Sequence, residues 1–585
     1  YRLPESRADL YDRAVKLLLQ RWHYNLTEDL DSFEPEVRAV IEVMIDEGGF
    51  INDLREALSH AALESYQNAE AIRAEKNGNI TFSRTVIMGS IAQIIGDIQR
   101  TPEKELASTV DSIAVQNFLE NRSNIIVGAG EEDDRLQFVH KSFHEYLASE
   151  AYDFDADSRT DIGILLDDAK KRDWWREVLL FWMNARPMAD LKDFMLPLLP
   201  EPEKGELDNH AGAVLLCCEA AVEKNLSRYA RAGRNRKLNK LFKKVQERLW
   251  AFMKDERLSV SLRAEAGRLL GEMGDPRDGI TVNDNGQPDI DWVEIPAVKG
   301  FMMGSDDEDA YDDEKPAHPV DVEGFSISRY PITNAQYRCF IEADGYEKPQ
   351  YWQTESARQW LAGSNDEKLL EGISDKNTRK LYRDWLTGDT ERRAPRFWHD
   401  RRWNNPNHPV VGVSWFEALA FCCWLAEVEE KSVRLPGEEE WEYAARGVKG
   451  LKYSWGDEFA ESLGNTKKTG LERTSAVGLF LPGRAVGPQV ESEAFGLHDM
   501  TGNVWEWTVN RWGKDFGKTE FAYADWQKRS REEREDPNVN EFRVIRGGSW
   551  FNFPNFARCS FRYRDGPDLR FSYVGFRVVF SLAAC

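Results

Sequence analysis

The spacing of apolar and polar positions changes partway along this 585-residue chain. Before about residue 280 the apolar positions recur at helical intervals. Residues 7–21 (RADLYDRAVKLLLQR) place Leu10, Ala14, Leu17 and Leu18 at i, i+4, i+7 and i+8, which predicts an amphipathic helix with those four on its core face. Comparable stripes run through 37–46, 52–61, 110–120, 143–152, 174–184, 211–223 and 239–253. A further helix over 259–273 (SVSLRAEAGRLLGEM) stops at Gly274-Asp275-Pro276, glycine followed by proline. The polar stretch 279–291 (GITVNDNGQPDID) reads as a linker.

Beyond it the pattern breaks into short strands, short helices and loops. Residues 292–303 (WVEIPAVKGFMM) alternate and turn at Lys299-Gly300 like a β-hairpin. A strand over 325–333 leads into a helix capped by Asn334, with Tyr337 and Phe340 facing inward. Residues 409–425 begin strand-like and become a helix with Ser414 as N-cap and Glu417 three residues on, the capping-box spacing. The helix within 434–447 starts after a proline turn and closes at Gly447. Ordered segments at 502–512 and a final strand at 574–580 interrupt the remaining loops.

Composition sharpens this division. Fifteen of the 20 tryptophans lie from Trp292 to Trp550. The length implies about three to five domains, and 41% hydrophobic content excludes wholesale disorder. No apolar run reaches the ~18 residues of a membrane span, and the chain reads as cytoplasmic. Net charge is −24, so the surface repels phosphate; no basic stripe is expected, and nucleic acid is not expected as a partner. Cys217–Cys218 and Cys422–Cys423 are adjacent pairs in apolar helices, and no zinc-like spacing occurs, so the seven cysteines read as reduced thiols. A start at Tyr1 reads as a piece of a longer protein.

Three segments of the first 185 residues carry a resemblance. Residues 137–149 (QFVHKSFHEYLAS), 173–184 (DWWREVLLFWMN) and 11–22 (YDRAVKLLLQRW) resemble the winged-helix end and helical arm of NACHT-type signalling or defence ATPases. No GxxxxGK[ST] occurs, so no nucleotide site is assigned, and an ATPase or effector module upstream is the partner the resemblance implies. His140 and His144, four apart with Glu145 adjacent, read either as metal ligands or as packing at the arm. Residues 263–277 look like one HEAT-type repeat capping the arm.

The second half resembles the formylglycine-generating-enzyme-like family over about 292–580. The resemblance rests on Met303-Gly304-Ser305 and on segments 331–334, 408–415, 434–447, 502–507, 546–550 and 574–577, all in order. It implies a loop-rich C-type-lectin-like fold whose tryptophans are mostly core. The fold class expected is therefore α+β and multidomain: an all-α half, comprising a winged-helix-like region (1–150) and a helical arm (151–278), then a linker (279–291) and an α+β lectin-like domain (292–585).

In that family two cysteines after a Gly-Gly-Ser-Tyr run bind copper. The corresponding positions here are Asn552 and Ala557, which supply no thiolate, and Cys559 is unpaired, so the chain is not expected to be an enzyme, with neither copper nor iron. The alternative is a metal-dependent oxidoreductase of the formylglycine-generating or ergothioneine type. Asp499-Met500-Thr501-Gly502-Asn503-Val504-Trp505-Glu506 resembles the family's calcium loop. That implies Asp499, the carbonyls of Gly502 and Val504, and Glu506 as Ca²⁺ ligands; otherwise Glu506 caps a turn.

Residues 551–573 (FNFPNFARCSFRYRDGPDLRFSY) hold seven Phe or Tyr with interleaved Arg558, Arg562, Arg564 and Arg570, without helical or strand periodicity. Such rigid rings suit a recognition surface. The segment resembles the variable loop of diversity-generating-retroelement proteins, whose mutated Asn codons become Phe, Tyr, Leu, Ser, Asp or Gly. Phe551, Asn552, Phe553, Asn555, Phe556, Phe561, Tyr563, Asp565, Gly566, Leu569, Phe571, Ser572 and Tyr573 fall within that set and are the ligand-binding positions it implies, with a macromolecular ligand, most simply a protein.

Overall fold

A computed structural model describes residues 7–28, 50–71, 80–83, 126–128, 135–152, 169–200, 207–231, 236–363, 380, 392–480, 482–485, 487, 494–513, 527–539 and 541–581. The chain divides into two units, Tyr1–Val245 and Gln246–Cys585. The expected helices over 37–46 and 110–120 lie outside the described residues.

In the first unit α1 (Arg7–Glu28) is longer than its pattern suggested. It buries Ala8, Val15 and Leu19, while Leu10 and Leu17 are 51% and 64% exposed. The correction has a packing cause. Tyr11 meets Phe143 and Phe181 edge-on at 5.4 and 5.2 Å, and these rings set the helix rotation rather than the leucine count. Helix α2 (Phe50–Ala71) packs on α3 (Lys141–Ala151). Between them in sequence, β1 (Thr81–Ser83), β2 (Ile126–Gly128) and β3 (Arg135–Phe138) form an antiparallel sheet in the order β1-β3-β2. The N-terminal half is therefore not all-α.

His140 and His144 do separate things. His140 is the N-cap of α3, its Nδ1 accepting from Ser142 N–H at 3.2 Å. His144 is buried, with Nε2 2.8 Å from Ser65 Oγ and 2.9 Å from Ala62 O, and burial lowers its pKa to about 4. Packing and capping account for both. Helices α4 (Ala169–Ala185), α5 (Met188–Met195), α6 (Leu207–Glu223) and α7 (Leu226–Arg231) follow. Burial raises the thiol pKa of Cys217 and Cys218 on α6.

The division between the units falls inside α8 (Arg236–Lys254). This helix overturns the expectation that the chain has no basic stripe. Leu238, Leu241, Val245 and Leu249 are buried, while Arg236, Lys237, Lys240, Lys243 and Lys244 are exposed.

The second unit takes in a helix expected in the arm. Helix α9 (Val260–Met273) docks on loops of the later domain. Asn407 Nδ2 donates to Gly267 O and Asn405 Nδ2 to Arg268 O, both at 2.9 Å, and Arg263 Nη2 donates to Leu479 O at 2.7 Å. A Cβ at Gly271 would collide with the Oδ1 atoms of both asparagines. The expected linker 279–291 is also packed. Ile280 is buried, Thr333 Oγ1 donates to its carbonyl at 2.6 Å, and Gln336 Nε2 donates to Gly279 O and Asp289 O.

Strands β4 (Trp292–Ile295) and β5 (Val298–Met303) are not the expected hairpin. β5 pairs with β6 (His318–Val322), whereas β4 pairs with β7 (Phe325–Ser328), and the turn between them is Pro296-Ala297. Helix α10 (Asn334–Glu342) is capped by Thr333, with Gln336 completing a capping box. Asn334 instead donates Nδ2 to Trp403 O and Asn405 O.

Helices α11 (Glu355–Leu361) and α12 (Trp415–Glu429), with Ser414 and Glu417 in the expected capping box, precede β8 (Val433–Arg434) and α13 (Glu438–Arg446), which ends at Gly447. Strands β9 (Trp505–Arg511), β10 (Arg543–Arg546), β11 (Arg562–Asp565), β12 (Val574–Gly575) and β13 (Val579–Ser581) complete two four-stranded sheets. Their orders are β4-β7-β13-β8 and β11-β10-β9-β12, with a short helix, α14 (Arg531–Glu535), before β10. Trp352, Trp360, Trp415, Trp424, Trp441, Trp505, Trp507 and Trp512 are buried, the expected tryptophan-rich core. Among the described residues no helix is long and apolar enough to cross a membrane.

Candidate functional site

The C-terminal loop begins where β10 ends. Gly547 and Gly548 both have positive φ, and a Cβ at Gly548 would come within 2.7 Å of Ala557 Cβ. The turn they make folds the segment back on itself. Asn552 is pinned inward: its Oδ1 accepts from Trp505 Nε1 at 2.9 Å and Ser549 Oγ at 2.6 Å. Its carbonyl also accepts from Lys467 N–H at 2.9 Å.

The expected interleaved arginines are mostly anchors. Arg558 is buried and donates to both carboxylate oxygens of Glu314 at 2.8 and 2.7 Å, with Ser560 Oγ adding a third bond at 2.8 Å. Arg562 is buried on Glu438, and Arg570 is buried with Nε 3.4 Å from Glu417. Arg564 is half-buried over Trp512 and beside Tyr563. Three of the four guanidiniums are therefore not offered to a ligand, because each balances a buried carboxylate from an earlier segment.

The rings divide between surface and core. Phe551 is 55% exposed, and Phe553 and Tyr563 are each 47% exposed. Phe551 stacks on Tyr573 at 5.8 Å, and Tyr573 on Phe571 at 5.0 Å. Lys467 Nζ lies 4.6 Å from the Phe553 ring. Phe561, Gly566 and Leu569 are buried, while Asn555, Phe556, Asp565 and Ser572 are half-buried. Of the thirteen implied positions, Phe551, Phe553 and Tyr563 are exposed, Phe571 and Tyr573 are half-buried against the core with Phe551 stacked on Tyr573, and Phe561, Gly566 and Leu569 are buried.

Sequence reasoning missed Tyr311, which lies 244 residues before Asn555. It is exposed, stacks on Phe556 at 6.3 Å and meets Phe561 edge-on at 5.5 Å, and Asn555 Nδ2 reaches its hydroxyl at 3.3 Å. The one available signal was an aromatic standing alone among the acids of 306–314.

Cys559 is buried, its thiol donates to Ala445 O at 3.8 Å, and burial pushes its pKa up to about 12. Such a thiol holds its proton at neutral pH. Burial and the nearby Asp568 push the Asp565 carboxyl up to about 7.

The implied calcium ligands lie on a turn with Asp499, Gly502 and Asn503 at positive φ. Asp499 is held by neutral donors, Gly478 N–H at 2.8 Å and Asn503 Nδ2 at 3.2 Å, and burial pushes its carboxyl up to about 6. Glu506 is engaged by Arg577 at 2.6 and 2.8 Å and by Trp441 Nε1 at 2.6 Å. Asp499 is half-buried with neutral donors, whereas both Glu506 oxygens are taken by Arg577, so of the four implied ligands Asp499 and the carbonyls of Gly502 and Val504 are the ones that would be left for a hard cation. Among the described residues no three His, Cys, Asp or Glu side chains converge. A cavity of about 580 Å³, lined by Tyr351, Phe416, Leu419, Cys423 and Val509, includes none of residues 551–573.

Residues 291–582 match the sulfatase-modifying factor enzyme 1-like domain. The inactive Cα-formylglycine-generating enzyme 2 of Bos taurus is 30% identical over 319 residues, covering 50% of this chain and 88% of that protein. The chain belongs to this family. The hercynine oxygenase of Mycolicibacterium thermoresistibile is 32% identical over 300 residues, 48% of this chain and 57% of its own length. The serine/threonine-protein kinase Pkn1 of Chlamydia trachomatis serovar L2 is 30% identical over 286 residues, with only 38% of its length spanned.

These relatives correct one expectation. The chain was expected not to be an enzyme because Asn552 and Ala557 replace a cysteine pair. Yet the oxygenase and the formylglycine-generating enzyme of Thermomonospora curvata (29% identical, 47% of this chain and 89% of that protein) are both named as enzymes. The physical reason is that two loop positions decide one metal chemistry, whereas a fold can place reactive groups from several segments.

Proposed function

We propose that the segment 551–573 is a recognition surface for a macromolecular ligand, a polypeptide in the simplest case. The observation that carries this reading is the separation of roles within one loop. Buried Arg558, Arg562 and Arg570 fix the backbone, while Phe551, Phe553 and Tyr563 keep about half of their surface in water. Exposing large rings is unfavourable for an isolated protein, and rigid rings on an anchored loop lose little entropy on binding. The test is selection from a random-peptide display library on the whole chain, with counter-selection on Phe551→Ala/Phe553→Ala/Tyr563→Ala. Peptides that hold the parent and lose at least about tenfold on the variant support the reading. A library yielding no such peptides overturns it.

Three finer parts belong to the same proposal. The loop is diversified at its Asn-derived codons, which a nearby template repeat differing only at adenines in the coding DNA would establish. The helical half couples occupancy to a NACHT-type module. A calcium ion sits at Asp499, the carbonyls of Gly502 and Val504, and Glu506.

A second reading is favoured by the named relatives: a metal-dependent oxidoreductase. Metal analysis of the purified chain together with oxygen consumption in the presence of thiols tests it. Stoichiometric copper or iron with turnover supports it, and neither of these retires it.

A further inference from the structure

The most basic stretch of this acidic chain leads into α8, away from the loop at 551–573. Residues 228–244 contain eight Lys or Arg (228, 231, 234, 236, 237, 240, 243 and 244) and no Asp or Glu, in a chain of net charge −24. Within α8 the five at 236, 237, 240, 243 and 244 are all exposed. At about 100° per residue they occupy roughly 120° of the helix surface, over about 12 Å of rise. Glu247, one turn on, ends the row.

No carboxylate is paired with Arg236, Lys240, Lys243 or Lys244 among the described residues. On α8 the acid nearest these cations is Glu247, at i+4 from Lys243 and i+3 from Lys244, so along the helix their mutual repulsion is only partly offset and an anion supplied from outside would lower it.

The opposite face decides what kind of anion. Leu238, Leu241 and Val245 are buried, so the apolar side of α8 is already used in the protein core. A helix that lies on a bilayer must present that side to lipid, and this one cannot. A protein partner of ordinary size needs an apolar centre framed by polar residues. Phe242 is half-buried but falls at the edge of the buried face with Leu238 and Val245, about 100° round the helix from Lys243. Among the described residues, this face of α8 from 236 to 244 presents four lysines and an arginine with no apolar side chain between them, which matches a ligand recognised by charge.

We propose that the exposed face of α8, through Arg236, Lys237, Lys240, Lys243 and Lys244, binds the phosphate backbone of nucleic acid. It does so without base specificity, since it offers charges to phosphates and no projecting group to a groove. The chain's overall negative charge is screened beyond about 8–10 Å at ordinary ionic strength, so contact is governed by this local row.

The experiment is fluorescence anisotropy of a labelled duplex DNA and a labelled single-stranded RNA with the whole chain. The expected result is binding that weakens about a hundredfold between about 50 and about 200 mM salt, the slope for roughly four neutralised phosphates. Lys240→Glu/Lys243→Glu/Lys244→Glu should abolish it with an unchanged circular-dichroism melt. Should the glutamates unfold the helix, Lys240→Gln/Lys243→Gln/Lys244→Gln must still weaken binding at least about tenfold. No binding of either oligonucleotide at low salt overturns the proposal, as does equal binding by a folded variant. Tighter binding to polyglutamate would instead assign the row to an acidic polypeptide, and binding confined to anionic lipid vesicles would assign it to a membrane; either result overturns the nucleic-acid assignment.

Discussion

Phe553 and Arg558 are five residues apart and have opposite fates. Phe553 stays in water beside Lys467, whereas Arg558 is buried on Glu314. Arg558→Met should leave Glu314 as an uncompensated buried charge and lower stability by about 3–5 kcal/mol, read as a shift of the denaturant midpoint. Phe553→Ala should change stability by less than about 1 kcal/mol.

Asp499 gives a second residue-level expectation. Its folded pKa of about 6 lies above the ordinary 3.8, so the folded state binds the extra proton between these values. Stability contributed by the protonated form is present below about pH 4 and is lost as pH rises to about 6, in the direction linkage requires. Asp499→Asn should therefore be more stable than the parent at pH 7, by up to about 3 kcal/mol without added metal. Calcium should raise the melting temperature of the parent and leave that variant unmoved. Equal calcium responses would remove the ion from this loop.

At the level of elements, what could be read in advance was local. The capping box of Ser414 and Glu417 and the helix stops at Gly274 and Gly447 depend on residues a few positions apart, and all three stand. What could not be read depended on distant partners. The face of α1 is set by Phe143 and Phe181, and the arginines of the loop are buried by Glu314, Glu417 and Glu438 from earlier segments. The apparent hairpin failed for the same reason, since β4 and β5 each find a later strand.

Helix α9 shows the point most clearly: its sequence reads as a repeat, but Asn405, Asn407 and Leu479 hold it in the C-terminal unit. Gly271→Ala should push those asparagines apart and lower the melting temperature of that unit by several degrees. An unchanged melt would detach α9 from the domain.

At the scale of the whole molecule, an acidic chain carries two surfaces of different chemistry: an aromatic loop at 551–573 and a cationic row on α8. Family membership over 291–582 was legible from ordered motifs, because glycine turns and capping residues are tied to backbone geometry. Which rings of the loop face water was not legible, because alternating Phe and Arg look alike whether the arginines serve a ligand or a buried glutamate.

The buried arginines of the loop and its exposed rings, Phe551, Phe553 and Tyr563, have separate energetic roles in the proposed recognition surface. The most direct measurement takes Phe551→Ala/Phe553→Ala/Tyr563→Ala and reads its thermal melt and its affinity for a display-selected peptide side by side. The expected result is a melting temperature within a few degrees of the parent and binding weakened at least about tenfold. A collapsed melt, or undiminished affinity in a folded variant, would contradict it.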